Sequence, residues 1–271
     1  MPNSYGPWGT RGAIENLADA GLEYIELAIR TYGVDSPFDA RPLLTDGSDA
    51  ADIGRVKQLL DEHGVRVASC NVTSGNPLDP AVVEITKRKL DLAAQFGASL
   101  VVGGAGEADD DGDKERLYRQ LGEIGDYAAG MGITYCFETH PGLCRDHRGM
   151  LETMHVLEHA HLKLNFDTAN ILYYNELIEG EVALAKVCHH VQHVHLKDSG
   201  GEFGKWHFPA LGRGGAVNFV RVLEIMQTVG FAGPYSIEIE GIAGEGELEL
   251  EQYQARVVES VKHLRNCGFF D

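Results

Sequence analysis

Basic residues are scarce in this chain. Its 271 residues hold 23 Lys plus Arg against 41 Asp plus Glu, a formal net charge of -18. A nucleic-acid binder needs a cationic footprint to neutralise phosphates, so nucleic acid and anionic membrane surfaces are not expected partners. A small sugar or a cation is not disfavoured. Cysteine is sparse as well: Cys70, Cys136, Cys144, Cys188 and Cys267 are odd in number, dispersed, and never spaced as C-x-x-C. A disulfide framework looks different, so a reducing, cytoplasmic home is expected. No run of about 18 apolar residues occurs, and the opening MPNSYGPWGTR has no apolar signal-peptide core. No proline- or serine-rich linker divides the chain. With 44% hydrophobic and 24% charged residues, the composition is that of a folded protein rather than a disordered one. One domain over residues 1–271 is the expectation.

What is present is an alternation. Short runs rich in β-branched residues predict strands near 23–27, 65–71, 99–103, 133–138, 162–167, 191–196 and 235–240. Between them, apolar residues recur at helical steps, as in Leu117, Leu121, Ile124, Ala128 and Met131, or Leu250, Tyr253, Val257, Val261 and Leu264. Gly21, Gly64, Gly97, Gly132 and Gly230 each fall just before a strand, where a helix C-cap calls for glycine. An eighth strand has to come first, and only Pro2 to Tyr5 is available for it. Eight strands alternating with helices imply an α/β fold with a parallel sheet closed into a single (β/α)8 barrel, which takes roughly 250 residues.

In such a barrel the chemistry sits at the C-terminal ends of the strands. The fifth strand ends in Glu138, the sixth in Asp167, the seventh in His195 and the eighth in Glu238. Beside the imidazole, three carboxylates close together on one rim would repel one another and resist burial unless they share a cation. Oxygen donors with one imidazole suit Mn2+, Mg2+ or Co2+, and Zn2+ takes the same donors. Asp167 followed by Thr168 also reads as a helix cap. Glu240 and His193 lie two residues from Glu238 and His195, so each pair shares a barrel face. Spacing favours Glu238 and His195.

The stretches C-F-E138-T-H140, N-F-D167-T-A-N170, H193-V-H195-L-K197-D198 and G233-P-Y-S-I-E238 resemble the xylose-isomerase-like barrels often labelled sugar phosphate isomerase/epimerase. The likeness runs through nearly the whole chain. In that family, which includes tagatose 3-epimerase and inosose dehydratase, the matching Glu, Asp, His and Glu hold one divalent metal. The resemblance therefore implies Glu138, Asp167, His195 and Glu238 as metal ligands, with Glu138 and Glu238 also moving the proton. Two departures stand out. Asn170 occupies a position where the epimerases have a substrate-contacting His, and D198-S-G-G replaces their arginine. Related zinc endonucleases need further histidines where this chain has Asn71 and Gly103 or Gly104.

Further substrate-contact candidates are His140, two beyond Glu138, and Lys197, two beyond His195. Lys197 would neutralise an enediolate oxygen or pair with Asp198 or Glu240. Trp206 and His207, in the loop after the seventh strand, would stack on the apolar face of a sugar or simply close the loop. Glu26 ends the second strand as a site or structural residue. The run L-G-R-G-G (211–215) is a weak phosphate motif, and the acidic 241–247 stretch opposes a phosphate. The expected function is a metal-dependent sugar or cyclitol isomerase or epimerase, working by proton abstraction next to a carbonyl through an enediolate held by the metal. A metal-dependent dehydratase of a keto-cyclitol shares the first half of that path. Against an endonuclease-IV-like repair enzyme stand the acidic charge and the missing histidines. Against a non-catalytic sugar-binding barrel stands the intact set of four ligands. Barrels of this kind commonly assemble as homo-dimers or tetramers.

Overall fold

The computed structural model describes residues 1–270. The chain opens with two 3₁₀ turns over Pro2–Trp8 and continues into α1 (Gly9–Asn16) and β1 (Tyr24–Ala28). Then follow α2 (Ala50–Glu62), β2 (Arg66–Asn71), α3 (Pro80–Gln95), β3 (Leu100–Gly103), α4 (Asp111–Gly130) and β4 (Thr134–Glu138). Next come α5 (His147–Leu157), β5 (Leu162–Asp167), α6 (Asn170–Tyr173), α7 (Gly180–Val187) and β6 (Val191–Leu196). The remainder comprises β7 (His207–Phe208), α8 (Phe219–Thr228), β8 (Tyr235–Ile237), β9 (Gly241–Ile242) and α9 (Leu250–Asn266).

Seven strands pair in the order β1-β2-β3-β4-β5-β6-β8, every neighbour parallel. The helices pack outside them, giving a nearly closed TIM barrel. Helix starts are written locally: the side chains of Asp49, Asp79, Asp110, Asp146 and Asn218 accept first-turn backbone N–H groups, each cap contributing about 1 kcal/mol. The five glycines before strands all take positive φ between 65° and 76°, which ends each helix without Cβ strain. Leu117, Leu121, Ile124 and Ala128 of α4 are fully buried, each Leu or Ile contributing about 1.5–3 kcal/mol by leaving water. No helix among the described residues is long and apolar enough to cross a membrane.

The expected first strand is not a strand. Pro2 lacks the N–H a ladder needs, Gly6 sits at φ 52°, and Pro7 follows. The segment still occupies the seam between β8 and β1. The Met1 ammonium donates to the Ile237 carbonyl at 2.8 Å. Ser4 Oγ donates to the same oxygen at 3.1 Å and accepts from Ile239 N at 3.1 Å. The seam is thus stitched partly by side chains.

Strand alternation decides what enters the barrel. Leu164, Phe166, Val194 and Leu196 are buried beneath the helices, whereas Asn165, Asp167, His193 and His195 turn inward. Low in the barrel, His193 is enclosed by Asn165 Oδ1 at 2.9 Å, Ser69 Oγ at 3.0 Å and Ser236 Oγ at 3.3 Å. Burial drives its pKa down to about 3, so it is a neutral packing residue.

Candidate metal centre

One layer above His193, four side chains from adjacent strand ends converge. Glu138, Asp167, His195 and Glu238 each aim one donor atom at a common point, and those atoms lie within 4.8 Å of one another. His195 Nδ1 is 3.3 Å from Glu138 Oε1, 3.8 Å from Asp167 Oδ2 and 3.3 Å from Glu238 Oε2. Atoms bound to one ion at about 2.1 Å are at most ~4.2 Å apart, so small inward shifts close this cage on an ion.

Hydrogen bonding tests whether an ion fits. Asp167 Oδ2, His195 Nδ1 and Glu238 Oε2 are buried and have no hydrogen-bond partner among the described residues. Three orphaned acceptors meeting at one point is costly in a protein interior, and a divalent cation satisfies all three. Burial first, and then the Glu238 and Glu138 charges, push the Asp167 carboxyl upward despite nearby Lys197 and His195. A cation would replace that proton. The donor set fits a hard or borderline ion rather than a thiolate-seeking one.

The partners outside the cage set its orientation. Glu26 Oε1 and Oε2 lie 3.2 and 3.0 Å from His195 Nε2. A carboxylate only accepts, so one hydrogen sits on Nε2; with an ion in the cage the Nδ1 lone pair would face it, as ligating histidines require. Burial alone would raise the Glu26 carboxyl, but the positive charge that His195 carries without an ion, together with its hydrogen bond, outweighs it and brings it to about 2. Asp167 divides its two oxygens: Oδ1 accepts from Ala169 N and Asn170 N, both at 2.8 Å, while Oδ2 faces the cage. The expected cap does not form, because the N-cap of α6 is Ala169; Asp167 Oδ1 instead holds the turn that leads into the helix, which leaves Oδ2 free toward the cage. Lys197 Nζ binds Glu240 at 2.5 Å and Asn170 Oδ1 at 3.2 Å, lying 3.6 Å from Glu238 and 4.0 Å from Asp167. Burial disfavours its charge, but Glu238, Glu240 and Asp167 more than offset this and raise its pKa.

The cage floors a cavity of about 500 Å3. His140, Asn170, Lys197 and Trp206 all line it. Asn170 is already committed on both ends, since its Nδ2 donates to the Thr139 carbonyl at 3.1 Å. His140 packs edge-on to Tyr174, 5.1 Å between centroids. His207 is different. Trp206 and Phe208 face the cavity, and strand alternation in β7 turns His207 away, against Gly200. The expectation that His207 touches substrate is corrected on that ground. Arg213 of the glycine run pairs with Glu259 on the surface, and Gly212 N is taken by Asp198 at 2.9 Å, so no phosphate cradle forms there. A larger cavity of about 660 Å3 opens at the other end of the barrel, among Leu100, Tyr235 and Phe269, away from the convergent carboxylates.

Sequence reading missed Phe38, Arg30 and Asn3 at this cavity. Phe38 stacks on Trp206, centroids 6.4 Å apart and planes 10° from parallel. The loop after β1 carries no periodic pattern that would have marked it.

Among curated proteins, none matches this chain. Solved structures do. A D-psicose 3-epimerase determined in the presence of D-fructose is 16% identical with a TM-score of 0.75, covering 97% of this chain and 96% of the other. A D-allulose 3-epimerase from Methylomonas sp. in complex with D-allulose is 17% identical, TM-score 0.72, covering 98% and 94%. A xylose isomerase-like TIM barrel protein from Mycobacterium smegmatis, in complex with magnesium, is 17% identical, TM-score 0.70, covering 94% and 87%. At such identities these likenesses concern the fold. The family model described as xylose isomerase-like TIM barrel matches residues 14–267. The chain belongs to the xylose isomerase-like TIM barrel family.

Proposed function

We propose that this protein is a divalent-metal-dependent isomerase or epimerase of a sugar or cyclitol, acting by proton transfer next to a carbonyl. The observation that carries the reading is the cage itself: three orphaned buried acceptors plus Glu138, at the strand ends that floor an aromatic-walled polar cavity. The epimerase neighbours, with D-fructose and D-allulose named in their structures, support the substrate class.

Glu138, Asp167, His195 and Glu238 would hold the ion, and Glu138 and Glu238 would also exchange the proton. A bound divalent ion would polarise the carbonyl and the adjacent hydroxyl. Glu138, with 13% of its side chain exposed, borders the open cavity, whereas Glu238, at 3%, lies beneath it. One glutamate takes the proton on the carbon next to the carbonyl, and the other returns it. Lys197 Nζ, already beside three carboxylates, offsets negative charge that develops as the enediolate forms. Phe38 and Trp206 offer a flat apolar wall for one face of a sugar ring. Asn170, in the epimerase histidine position, orients Lys197 instead of carrying a proton.

The test is a metal analysis of the purified protein, coupled to a panel of ketoses and keto-cyclitols run in deuterated water. About one ion per chain, and deuterium entering the carbon next to the carbonyl of a substrate, are expected. Turnover of a substrate with no solvent label would replace proton abstraction with a hydride shift.

A further inference from the structure

The 3₁₀ segment in the seam does more than fill a gap, because its turn brings Asn3 to the edge of the cage. Asn3 is 9% exposed. Its Nδ2 donates to Glu238 Oε1 at 2.8 Å and to Glu240 Oε1 at 3.1 Å. Its Oδ1 accepts from Arg30 Nη2 at 3.0 Å. The amide orientation is settled by chemistry, since a guanidinium only donates and a carboxylate only accepts. Arg30 in turn lies 3.9 Å from Asp39, which accepts from Thr10 Oγ1 at 2.9 Å. Asp39 is the residue next to Phe38. A continuous polar run therefore joins the aromatic wall of the cavity to a cage glutamate.

The consequence falls on the two oxygens of Glu238. Oε1 is tied to Asn3, and Oε2 is the orphaned atom that faces His195 Nδ1. Without the Asn3 donor, Oε1 loses the bond that holds it back from the cage, and Lys197, 3.6 Å from Oε2, would compete for the carboxylate. We propose that Asn3 is a positioning residue for Glu238: it fixes which oxygen is presented to the metal and links that choice, through Arg30, to the loop bearing Phe38. The inference rests on the metal-centre reading of Glu238. It adds a residue from a segment with no strand and no motif.

The experiment measures Mn2+ affinity and melting temperature of the full chain for the wild type, Asn3→Ala, Asn3→Asp, Arg30→Met and the double variant Asn3→Ala with Arg30→Met. Loss of a hydrogen-bonding partner behind a metal ligand typically costs 10–100-fold in affinity. Asn3→Ala should weaken Mn2+ binding on that scale, and Asn3→Asp, which keeps the shape but has no N–H to donate to Glu238 Oε1, should not restore wild-type affinity. Arg30→Met should weaken it less, and the double variant should be no worse than Asn3→Ala, because Arg30 acts through Asn3. A merely structural role would lower the melting temperature and leave affinity unmoved, so unchanged Mn2+ affinity in Asn3→Ala overturns the proposal. Should Asn3→Ala not fold, unchanged affinity in Arg30→Met overturns it equally. Failure of the wild type to bind Mn2+ overturns the metal-centre reading and this inference together, a result distinct from either.

Discussion

The barrel is closed in two different ways. From β1 round to β8 through β6, each junction is a parallel backbone ladder. Between β8 and β1 the joint is made by Met1, Asn3, Ser4 and Arg30. A backbone ladder is largely indifferent to side-chain identity, since every non-proline residue supplies the same donor and acceptor. A joint built from side chains makes each residue answerable for its own bonds. The cage straddles both regimes: Glu138, Asp167 and His195 stand on or end ladder strands, while Glu238 lies one residue past β8 and leans on the seam.

The hardest way to break the ladder side is at its ligands. Asp167→Ala combined with His195→Ala should abolish binding of the single divalent ion, read by metal analysis after dialysis. Full retention of metal in that double variant would dissolve the assignment. Next in size, Glu138→Gln and Glu238→Gln keep the shape and a ligating oxygen but cannot take a proton. Each should lose about 10²–10⁴-fold in activity while retaining the fold and some metal. If only one of the pair is impaired in a substrate assay, the two closures differ in chemistry as well as in construction.

Away from the cage, Lys89 of α3 offers a measurable contrast. It is fully buried, with Nζ donating to Thr31 Oγ1 at 2.9 Å and the Thr73 carbonyl at 2.7 Å, tying together the loops that follow β1 and β2. Burial lowers its pKa from 10.5 to about 7, with Asp46 opposing and Arg30 assisting. Between pH 7 and 10.5 the unfolded chain therefore binds more protons at this position than the folded one, so stability rises with pH across that window. Denaturant unfolding should show a gain of about 2 kcal/mol from about pH 7 to 9. Lys89→Met should lose that slope, and an identical slope in the variant would assign it elsewhere. The smallest effect belongs to the seam. Ser4→Ala strips a donor from the Ile237 carbonyl and an acceptor from Ile239 N, which should cost about 1–2 kcal/mol in the same assay. No loss would mean that the bonds of Met1, Asn3 and Arg30 hold the joint without it.

Much of this arrangement is legible in the residues, for reasons that also explain the failures. Inner strands of a parallel sheet are buried on both faces, so VRVAS, SLVVG and VQHVHL announce themselves, and their bounds fall within one residue of expectation. Strand ends then place Glu138, Asp167 and His195 on one rim without further information. The last strand looks longer in sequence than it is, because Glu238 and Glu240 continue the alternation although the strand ends at Ile237, with one more ladder bond from Glu238 N to the Leu196 carbonyl. The first fails as a strand because fold completeness demands one where Pro2, Gly6 and Pro7 forbid it. Asn3, Arg30 and Phe38 share no local pattern. They meet only because the chain's start and the loop after β1 are brought together at the seam, and Glu26 acquires its orienting role only when His195 is folded against it.

The cysteines, introduced by what they do not form, turn out to be timekeepers. Cys70 and Cys136 stand in β2 and β4 with no exposed surface, and burial together with the Glu26 charge holds both thiols in the S–H form. A reagent that attacks thiolates reaches them only when these strands part from their covering layer. Cys267, just beyond α9, is partly exposed, so a reagent can reach it without any strand opening, although partial burial raises its thiol too. The rate at which the two inner thiols become labelled, set against faster labelling of Cys267, thus reports how often β2 and β4 part from the layer that covers them.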